Sequence, residues 1–106
     1  MFHMTEAQKK LMFQNKRDFV EDMAITLKGY PEFDVTSIEY KLGEVDEYIR
    51  IAYRGGHVSW ICVTGDSTGA ILGAIANSVR GKFAYGTVLS TRKKNELENK
   101  TDWEEL

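Results

Sequence analysis

The sequence predicts a single α+β domain, in which a three-stranded antiparallel β-meander is packed on one face by an N-terminal helix and a second helix. Apolar residues recur at helical spacing before Pro31 and after Gly65, which predicts the two helices. Between them, two turn signals divide the chain into three runs of alternating apolar and polar residues. A length of 106 residues, with 42% hydrophobic and 28% charged residues, suits one globular domain over residues 1–106.

The first helix is predicted from Thr5 to Lys28. Thr5 and Gln8 have the spacing of a capping box, in which each side chain bonds a free backbone N–H of the first turn. Gly29 is expected to supply a left-handed stop, and Pro31 prevents continuation of the helix. The apolar face consists of Phe19, Val20, Met23 and Leu27.

The N-terminal half of this helix, here called its front, is patterned differently from its C-terminal half. Leu11, Met12 and Phe13 point in three directions, and Lys16 lies on the extension of the apolar face. Because a core disfavours an ammonium group, we expect the front turns to project past the core. A basic flank is formed by Lys9, Lys10, Lys16 and Arg17.

The first two strands are predicted to pair across the turn formed by residues 43–46. This turn places Leu42 opposite Glu47 and Tyr40 opposite Ile49. The charges of this turn, which are those of Glu44, Asp46 and Glu47, are interpreted as solvated.

The third strand is positioned by Arg54-Gly55-Gly56-His57, interpreted as a hairpin with a two-residue turn. Ile51 then faces Trp60, and Ile49 faces Cys62. The helix-facing side of the sheet becomes Ile38, Tyr40, Ile49, Ile51, Tyr53, Val58, Trp60 and Cys62. The outer side carries Tyr48, Ile61 and Val63 among Glu39, Lys41, Arg50 and Ser59. We expect Phe83 to Leu89 to cover it, and the alternative is a contact surface for a partner.

The second helix is predicted from about Ser67 to Arg80, with Ile71, Leu72, Ile75, Ala76 and Val79 as its apolar stripe. After Gly81 the prediction is less detailed: Phe83 to Ser90 is a short strand or an extended arm, and a third helix starts at Ser90-Thr91 and runs through Leu97. A last turn is capped by Thr101-Asp102. Residues 1–4 are expected to be disordered, and residues 98–106 to form a loose, solvated tail. The alternatives are that Trp103 packs against the body or that it anchors a partner interface.

One segment matches a catalytic pattern, since Gly65-Asp66-Ser67-Thr68-Gly69 reads G-x-S-x-G between a strand and a helix. The corresponding mechanism needs a histidine after the serine, on a larger parallel sheet, yet His3 and His57 both precede Ser67. The segment is therefore interpreted as a helix N-cap, and the chain as a protein without enzymatic activity.

Metal and cofactor chemistry have little basis in the sequence. His3, His57 and Cys62 do not have the paired spacing of zinc ligands, and Cys62 is expected to face the core. We therefore predict no cofactor, no metal and no catalytic residues. A chain with one cysteine and no apolar run near the ~20 residues of a membrane helix is expected to be cytoplasmic and not membrane-bound.

Two surfaces are candidate partner contacts, the front of the first helix and the mixed sheet face with the acidic C-terminal segment. Their residues are Met12, Phe13, Lys16, Arg17, Tyr48, Arg50, Trp103, Glu104 and Glu105. The leading hypothesis is a small binding protein that regulates or inhibits a larger protein or protein–nucleic acid assembly through a protein partner. A nucleic-acid-binding domain using the basic flank, Arg50 and Arg54 is one alternative, although the net charge of −2 gives it little electrostatic support. A homodimer formed through Phe13 or the small face of Gly69 and Gly73 is the other.

The element order over about Thr5 to Gly81 resembles the double-stranded-RNA-binding domain. That resemblance implies lysines at the start of the second helix for phosphate contacts, and residues 67–73 contain none. The hairpin of Tyr48–Val63, the helix of Ser67–Arg80 and the acidic C-terminal residues also resemble some small phage-encoded anti-CRISPR proteins. The residues carrying the acidic likeness are Glu96, Glu98, Asp102, Glu104 and Glu105. This resemblance implies a phage or mobile-element accessory protein whose acidic surface occupies the DNA-binding site of a nuclease.

Overall fold

A computed structural model describes residues 3–81 and 89–106 of the chain. It has the predicted α+β architecture, a three-stranded antiparallel sheet in the order β1-β2-β3 with helices packed against it. The elements are α1 (Glu6–Lys28), a 3₁₀ turn (Pro31–Phe33), β1 (Val35–Leu42), β2 (Glu47–Tyr53), β3 (Val58–Cys62), α2 (Thr68–Gly81) and α3 (Thr91–Asn99).

The start of α1 has the predicted capping box, and its end differs from the prediction. The Gln8 N–H donates to the Thr5 hydroxyl at 3.1 Å, and the Thr5 N–H donates to the Gln8 side chain at 2.8 Å. Gly29 has φ −71° and continues the right-handed path, so the predicted left-handed stop is wrong. The helix ends because Pro31 begins the 3₁₀ turn, and the left-handed residue is Asp34 at φ 56°.

The pairing of β1 with β2 is as predicted. Leu42 lies opposite Glu47 and Tyr40 lies opposite Ile49, with an irregularity only between Val35 and Ser37. The short turn and the apolar alternation specify the same register here, which is why the sequence was sufficient.

The pairing of β2 with β3 differs from the predicted register by one residue. Arg50 lies opposite Trp60, whereas the sequence placed Ile51 there. The hairpin loop has three residues, since the Tyr53 N–H donates to the His57 carbonyl at 2.9 Å and closes the pair. Because side chains alternate along a strand, this shift moves every β3 side chain to the opposite face.

The shift exchanges the two faces of β3. Ile61 lies in the helix-facing core and Val63 follows it there, whereas Trp60 lies on the outer face and Cys62 is exposed. The prediction that Val58, Trp60 and Cys62 face the helices is therefore wrong. Apolar side chains occupy both faces of this strand, so alternation alone does not select the register.

The Cys62 thiol should react with Ellman's reagent in the native protein at a rate within about tenfold of that in the unfolded chain, because it is exposed. Comparing labelling rates with and without urea measures this. A rate slower by more than about a thousandfold would mean that labelling requires unfolding. Cys62 would then be buried, as the register predicted from the sequence has it.

The helix-facing core is formed as predicted by α1 and α2 together. Val20 of α1, Ile49 and Ile51 of β2, and Ile71 and Ile75 of α2 are all fully buried in one cluster. The Tyr53 hydroxyl also donates to the Ser78 carbonyl of α2 at 3.2 Å. Leu72, which the sequence assigned to the apolar stripe, is 46% exposed.

The outer face of the sheet is covered by the C-terminal part of the chain. Leu89, Leu97 and Trp103 pack with Tyr48 and Trp60 in a second apolar cluster. The Ser90 hydroxyl caps α3 as predicted, accepting from the Lys93 N–H at 3.1 Å. The predicted last turn is absent, since residues 100–106 are not helical. The predicted strand or arm of Phe83 to Ser90 lies outside the described residues except for its last two.

Candidate functional site

A buried ion pair joins the front half of α1 to the start of β2. The Lys16 ammonium donates to Glu47 Oε1 at 2.8 Å, and both side chains are less than a tenth exposed. The Tyr40 hydroxyl donates to the same oxygen at 2.5 Å, and the Gly65 N–H donates to Oε2 at 2.8 Å. Both carboxylate oxygens are therefore satisfied, which compensates for the desolvation of the charge.

The environment of this network shifts the pKa values of its acidic groups in opposite directions. Burial alone would raise the pKa of Glu47, but the hydrogen bonds from Lys16, Tyr40 and the Gly65 N–H, with the Lys16 charge, bring it below its ordinary value. Burial, followed by the hydrogen bond to Glu47 and its charge, raises the pKa of Tyr40 above its ordinary range. Glu47 is thus ionised and Tyr40 neutral near pH 7, an arrangement that holds α1 on the sheet.

This network corrects two predictions. Glu47 is buried and is not a solvated turn charge, because it is on the same side of β2 as Ile49 and Ile51. The front turns of α1 do not simply project past the core, because Phe13 packs against it and Lys16 finds a buried acidic partner.

The C-terminal tail, residues 100–106, crosses from the outer face of the sheet to α1. Trp103 stacks on Trp60 with ring centroids 5.8 Å apart, and the Glu104 N–H then donates to the Leu42 carbonyl at 2.8 Å at the end of β1. The Arg17 guanidinium donates to the carbonyl of Leu106. The Leu106 side chain packs against the helix-facing core. Trp103 therefore packs against the body, which was an alternative from the sequence, and does not fray as expected.

The tail and the front of α1 meet in one groove, here called the front groove, of about 630 Å³. Its apolar lining includes Met4, Met12, Phe13, Leu42, Val45 and Leu106. Its charged lining consists of Glu6, Lys9 and Lys10 on α1 and Glu44, Glu47, Glu104 and Glu105 on the opposite side. Four residues that the sequence assigned to two separate surfaces are therefore brought together: Met12, Phe13, Glu104 and Glu105.

A second groove of about 620 Å³, here called the side groove, lies on the other flank of α1. Leu11 and Lys16 line it from the helix, and the loop of residues 65–68 lines it from the opposite side. Met4 and Met12 line both grooves, so the front of α1 stands as a ridge between them.

The other predicted contacts are engaged within the molecule. Lys16 and Tyr48 are buried and are not available to a partner in this structure, because the first pairs with Glu47 and the second packs under α3. Arg50 bonds Glu98, whose carboxylate also accepts from the Trp60 indole at 2.7 Å.

Arg17 combines its tail contact with an ion pair to Asp18 at 2.9 Å. It therefore positions Leu106 at the front groove and does not itself line the groove. Val45, Met4 and Leu106 were missed by sequence reasoning. The exposed valine in a charged turn was the available signal, since an apolar residue in that position has no core to join.

The G-x-S-x-G segment starts α2. The Ser67 hydroxyl accepts from the Ala70 N–H at 3.2 Å, the bond expected of a helix cap. His57 lies at the opposite end of β3, stacked on Tyr53 with ring centroids 5.6 Å apart. In the part of the chain that the structure describes, no three histidine, cysteine or acidic side chains form a group that could hold a metal ion.

No family model, curated protein or solved structure matches the chain. Across residues 3–81 and 89–106, no helix is long and apolar enough to cross a membrane.

Proposed function

We infer that the chain is a non-enzymatic binding protein that recognises a partner protein through the front groove and thereby regulates or inhibits a larger protein or protein–nucleic acid assembly. The observation that supports this is the composition of the groove. It combines an apolar lining from Met12, Phe13 and Leu106 with charged residues on both sides. An apolar centre with a charged, solvated rim is the usual anatomy of a protein–protein interface.

Of the six large apolar residues that are exposed in the described part of the chain, three line the two grooves. Val45 is 78% exposed, Leu11 is 57% exposed and Met4 is 36% exposed, and all three line the front groove or the side groove. Exposed apolar side chains rimmed by polar residues favour an interaction site. Methionines at its centre add adaptability, because the unbranched thioether side chain repacks readily against different surfaces.

The nucleic-acid alternative has less support, because three of the six basic residues on which it relied are engaged within the molecule. Lys16 is buried against Glu47, Arg17 pairs with Asp18, and Arg50 bonds Glu98. Of the other three, Lys9 and Lys10 share the front groove with Glu44, Glu104 and Glu105, which would repel phosphate groups, and Arg54 lies in the hairpin loop away from the groove.

Inhibition by DNA mimicry is also not favoured. The acidic C-terminal residues would have to present a continuous negative surface, yet Glu98 lies 2.5 Å from Arg50 and Asp102 lies 2.6 Å from Lys100. The C-terminal region is therefore better suited to contact a protein surface of mixed charge than to occupy a basic DNA-binding cleft.

Two surfaces were considered for self-association, and they differ in how accessible they are to a second copy. Phe13 packs against the core with one side and lines the front groove with the other, so a second copy would have to occupy the site assigned to the partner. Gly69 and Gly73 lie on the exposed side of α2 beside Leu72, which is 46% exposed, so this side of α2 is the surface on which a second copy would pack. Light scattering over a range of concentrations tests this alternative, and a persistent monomer would remove it.

Replacing Val45 by glutamate should abolish capture of the partner from a lysate of the source cells, because it places a charge in the apolar lining of the front groove. The matched control is Ile25→Glu, since Ile25 is 71% exposed on α1 and lines neither groove. Both substitutions are expected to change the free energy of unfolding by less than about 0.5 kcal/mol, because both side chains are exposed.

The readout is the set of proteins retained by each variant, quantified by mass spectrometry. We expect at least one protein to be retained by the wild type and by Ile25→Glu, and lost with Val45→Glu. Equal retention by the wild type and both variants, or no retained protein, would contradict the proposed function.

A further inference from the structure

The two sides of the front groove carry opposite charges. The α1 side presents Lys9 and Lys10, with Glu6 at its edge, and the turn-and-tail side presents Glu44, Glu104 and Glu105. Glu6 offsets part of the positive charge, since it lies 3.8 Å from Lys9 in an exposed pair. One wall is therefore weakly positive and the other is clearly negative.

The opposite charges do not pair across the groove. Within the described residues, the Lys10 ammonium has no hydrogen bond or ion pair, and neither has the side-chain carboxylate of Glu44, Glu104 or Glu105. The tail is held instead through Trp103 and through two backbone contacts, the Glu104 N–H on the Leu42 carbonyl and the Leu106 carbonyl on Arg17 of α1. An unpaired ammonium group therefore lies on one side of the apolar floor, and unpaired carboxylates lie on the other.

This arrangement restricts the chemistry of an occupant. An occupant with only acidic groups would be attracted to Lys10 and repelled by three carboxylates, and one with only basic groups would be repelled by the lysines. An uncharged apolar segment would desolvate the rim without replacing its water contacts. An occupant with both signs, separated by an apolar stripe, satisfies both walls.

The backbone at the floor favours a helix over an added strand. A strand joining β1 would need free backbone groups at its end, and the Leu42 carbonyl already accepts from the Glu104 N–H at 2.8 Å. The α1 wall from Glu6 to Phe13 extends over about 10 Å, the length of roughly two helical turns.

We propose that the front groove receives an amphipathic helix of a partner protein whose apolar stripe is flanked by acidic side chains along one edge and basic side chains along the other. This rests on the proposed function and specifies the chemistry of its partner. The apolar stripe contacts Met12, Phe13 and Leu106, the acidic edge faces Lys9 and Lys10, and the basic edge faces the carboxylates.

The test uses three designed 18-residue helical peptides with the same leucine stripe. Their flanks are glutamate on one edge and lysine on the other, glutamate on both edges, or lysine on both edges. Titration of the full chain, followed by the methyl NMR signals of Met12 and Val45, gives affinity and location together. The mixed peptide should bind about tenfold more tightly than either single-sign peptide, because two to three exposed ion pairs are gained and like-charge contacts are avoided.

A charge-reversed variant of the chain controls for differences in helicity or solubility among the three peptides. In the triple variant Glu44→Lys, Glu104→Lys and Glu105→Lys both walls become basic, so the preference should switch to the peptide with glutamate on both edges. These side chains are exposed, and the Glu104 N–H bond to Leu42 does not depend on the side chain.

Equal binding of the three peptides, tighter binding of a single-sign peptide to the wild type, no binding at about 1 mM, or no switch in the variant would each overturn the proposal. If the peptides fail while lysate capture remains sensitive to Val45→Glu, the proposed function stands and only the partner chemistry is wrong. If the peptides bind as expected and no protein is captured, the partner chemistry stands and the regulatory role is removed.

Discussion

Replacing Lys16 by methionine should lower the free energy of unfolding by about 3–5 kcal/mol at pH 7, because it leaves the buried Glu47 carboxylate without its counter-charge. The Tyr40 hydroxyl and the Gly65 N–H remain as donors to that carboxylate, but neither supplies a positive charge. Urea unfolding followed by circular dichroism measures the change. The matched control is Lys10→Met, an exposed lysine of the same helix, with an expected change below about 0.5 kcal/mol.

The effect of Lys16→Met should depend on pH in a defined direction. The pKa of Glu47 is lowered in the wild type, so its contribution is present above the unfolded pKa and is lost as pH falls through the folded pKa. In the variant the buried carboxyl lacks the ammonium group, so its pKa should rise and acid should cost the variant less. The difference between the two proteins is therefore expected to shrink from pH 7 towards pH 3. A loss below 1 kcal/mol at pH 7, or a difference that grows in acid, would show that the buried pair does not form in solution.

Replacing Trp103 by alanine should cost about 2–3 kcal/mol of unfolding free energy, the combined value of a half-buried aromatic side chain and of its stacking. Trp103 stacks on Trp60 with an interplanar angle of 13° and contacts Tyr48 edge-on at 6.1 Å. The chain has two tryptophans, so the near-ultraviolet circular dichroism from their coupling should disappear as well.

The control for Trp103→Ala is Glu105→Ala, an exposed substitution in the same tail that is expected to leave both measurements unchanged. An unchanged stability and an unchanged spectrum in Trp103→Ala would mean that the tail does not lie on the sheet in solution.

The part of the fold that could be predicted is the part where independent local signals agree. The turn of residues 43–46 and the alternation of apolar residues in both flanking strands specify the same β1–β2 register. The capping box of Thr5 and Gln8 similarly fixed the start of α1 from two residues. In each case the determining contacts are close in sequence, so that tertiary packing does not override them.

The β3 register could not be predicted because the strand is apolar on both sides. Trp60 finds its partners in α3 and the tail, and Ile61 finds its partners in the helix-facing core. Either register buries large side chains, and the decision depends on a hairpin loop with three residues instead of two. Consecutive glycines at Gly55 and Gly56, both with positive φ, are compatible with more than one loop, so they left the choice open.

The ion pair beneath α1 could have been predicted from the sequence. Lys16 continues the apolar face of its helix, and Glu47 is on the same side of its strand as Ile49 and Ile51, so two opposite charges were each directed at one core. The front groove could not have been predicted, because it requires the tail to turn around the end of β1. That path depends on the bond from the Glu104 N–H to Leu42, on the stacking of Trp103 and on the contact of Arg17 with the Leu106 carbonyl, for which a sequence pattern has no signature.

Both ends of the described chain converge on the front groove, Met4 along one border and residues 104–106 along another. Anything fused to either end therefore starts beside the mouth of the proposed interface and competes with the partner for space. The loop of residues 54–56 lies at the other end of β2, about 20 Å away for a strand of this length. An affinity handle or a fluorophore inserted in that loop would leave the groove open, which makes it the preferred attachment point for every binding measurement on this protein.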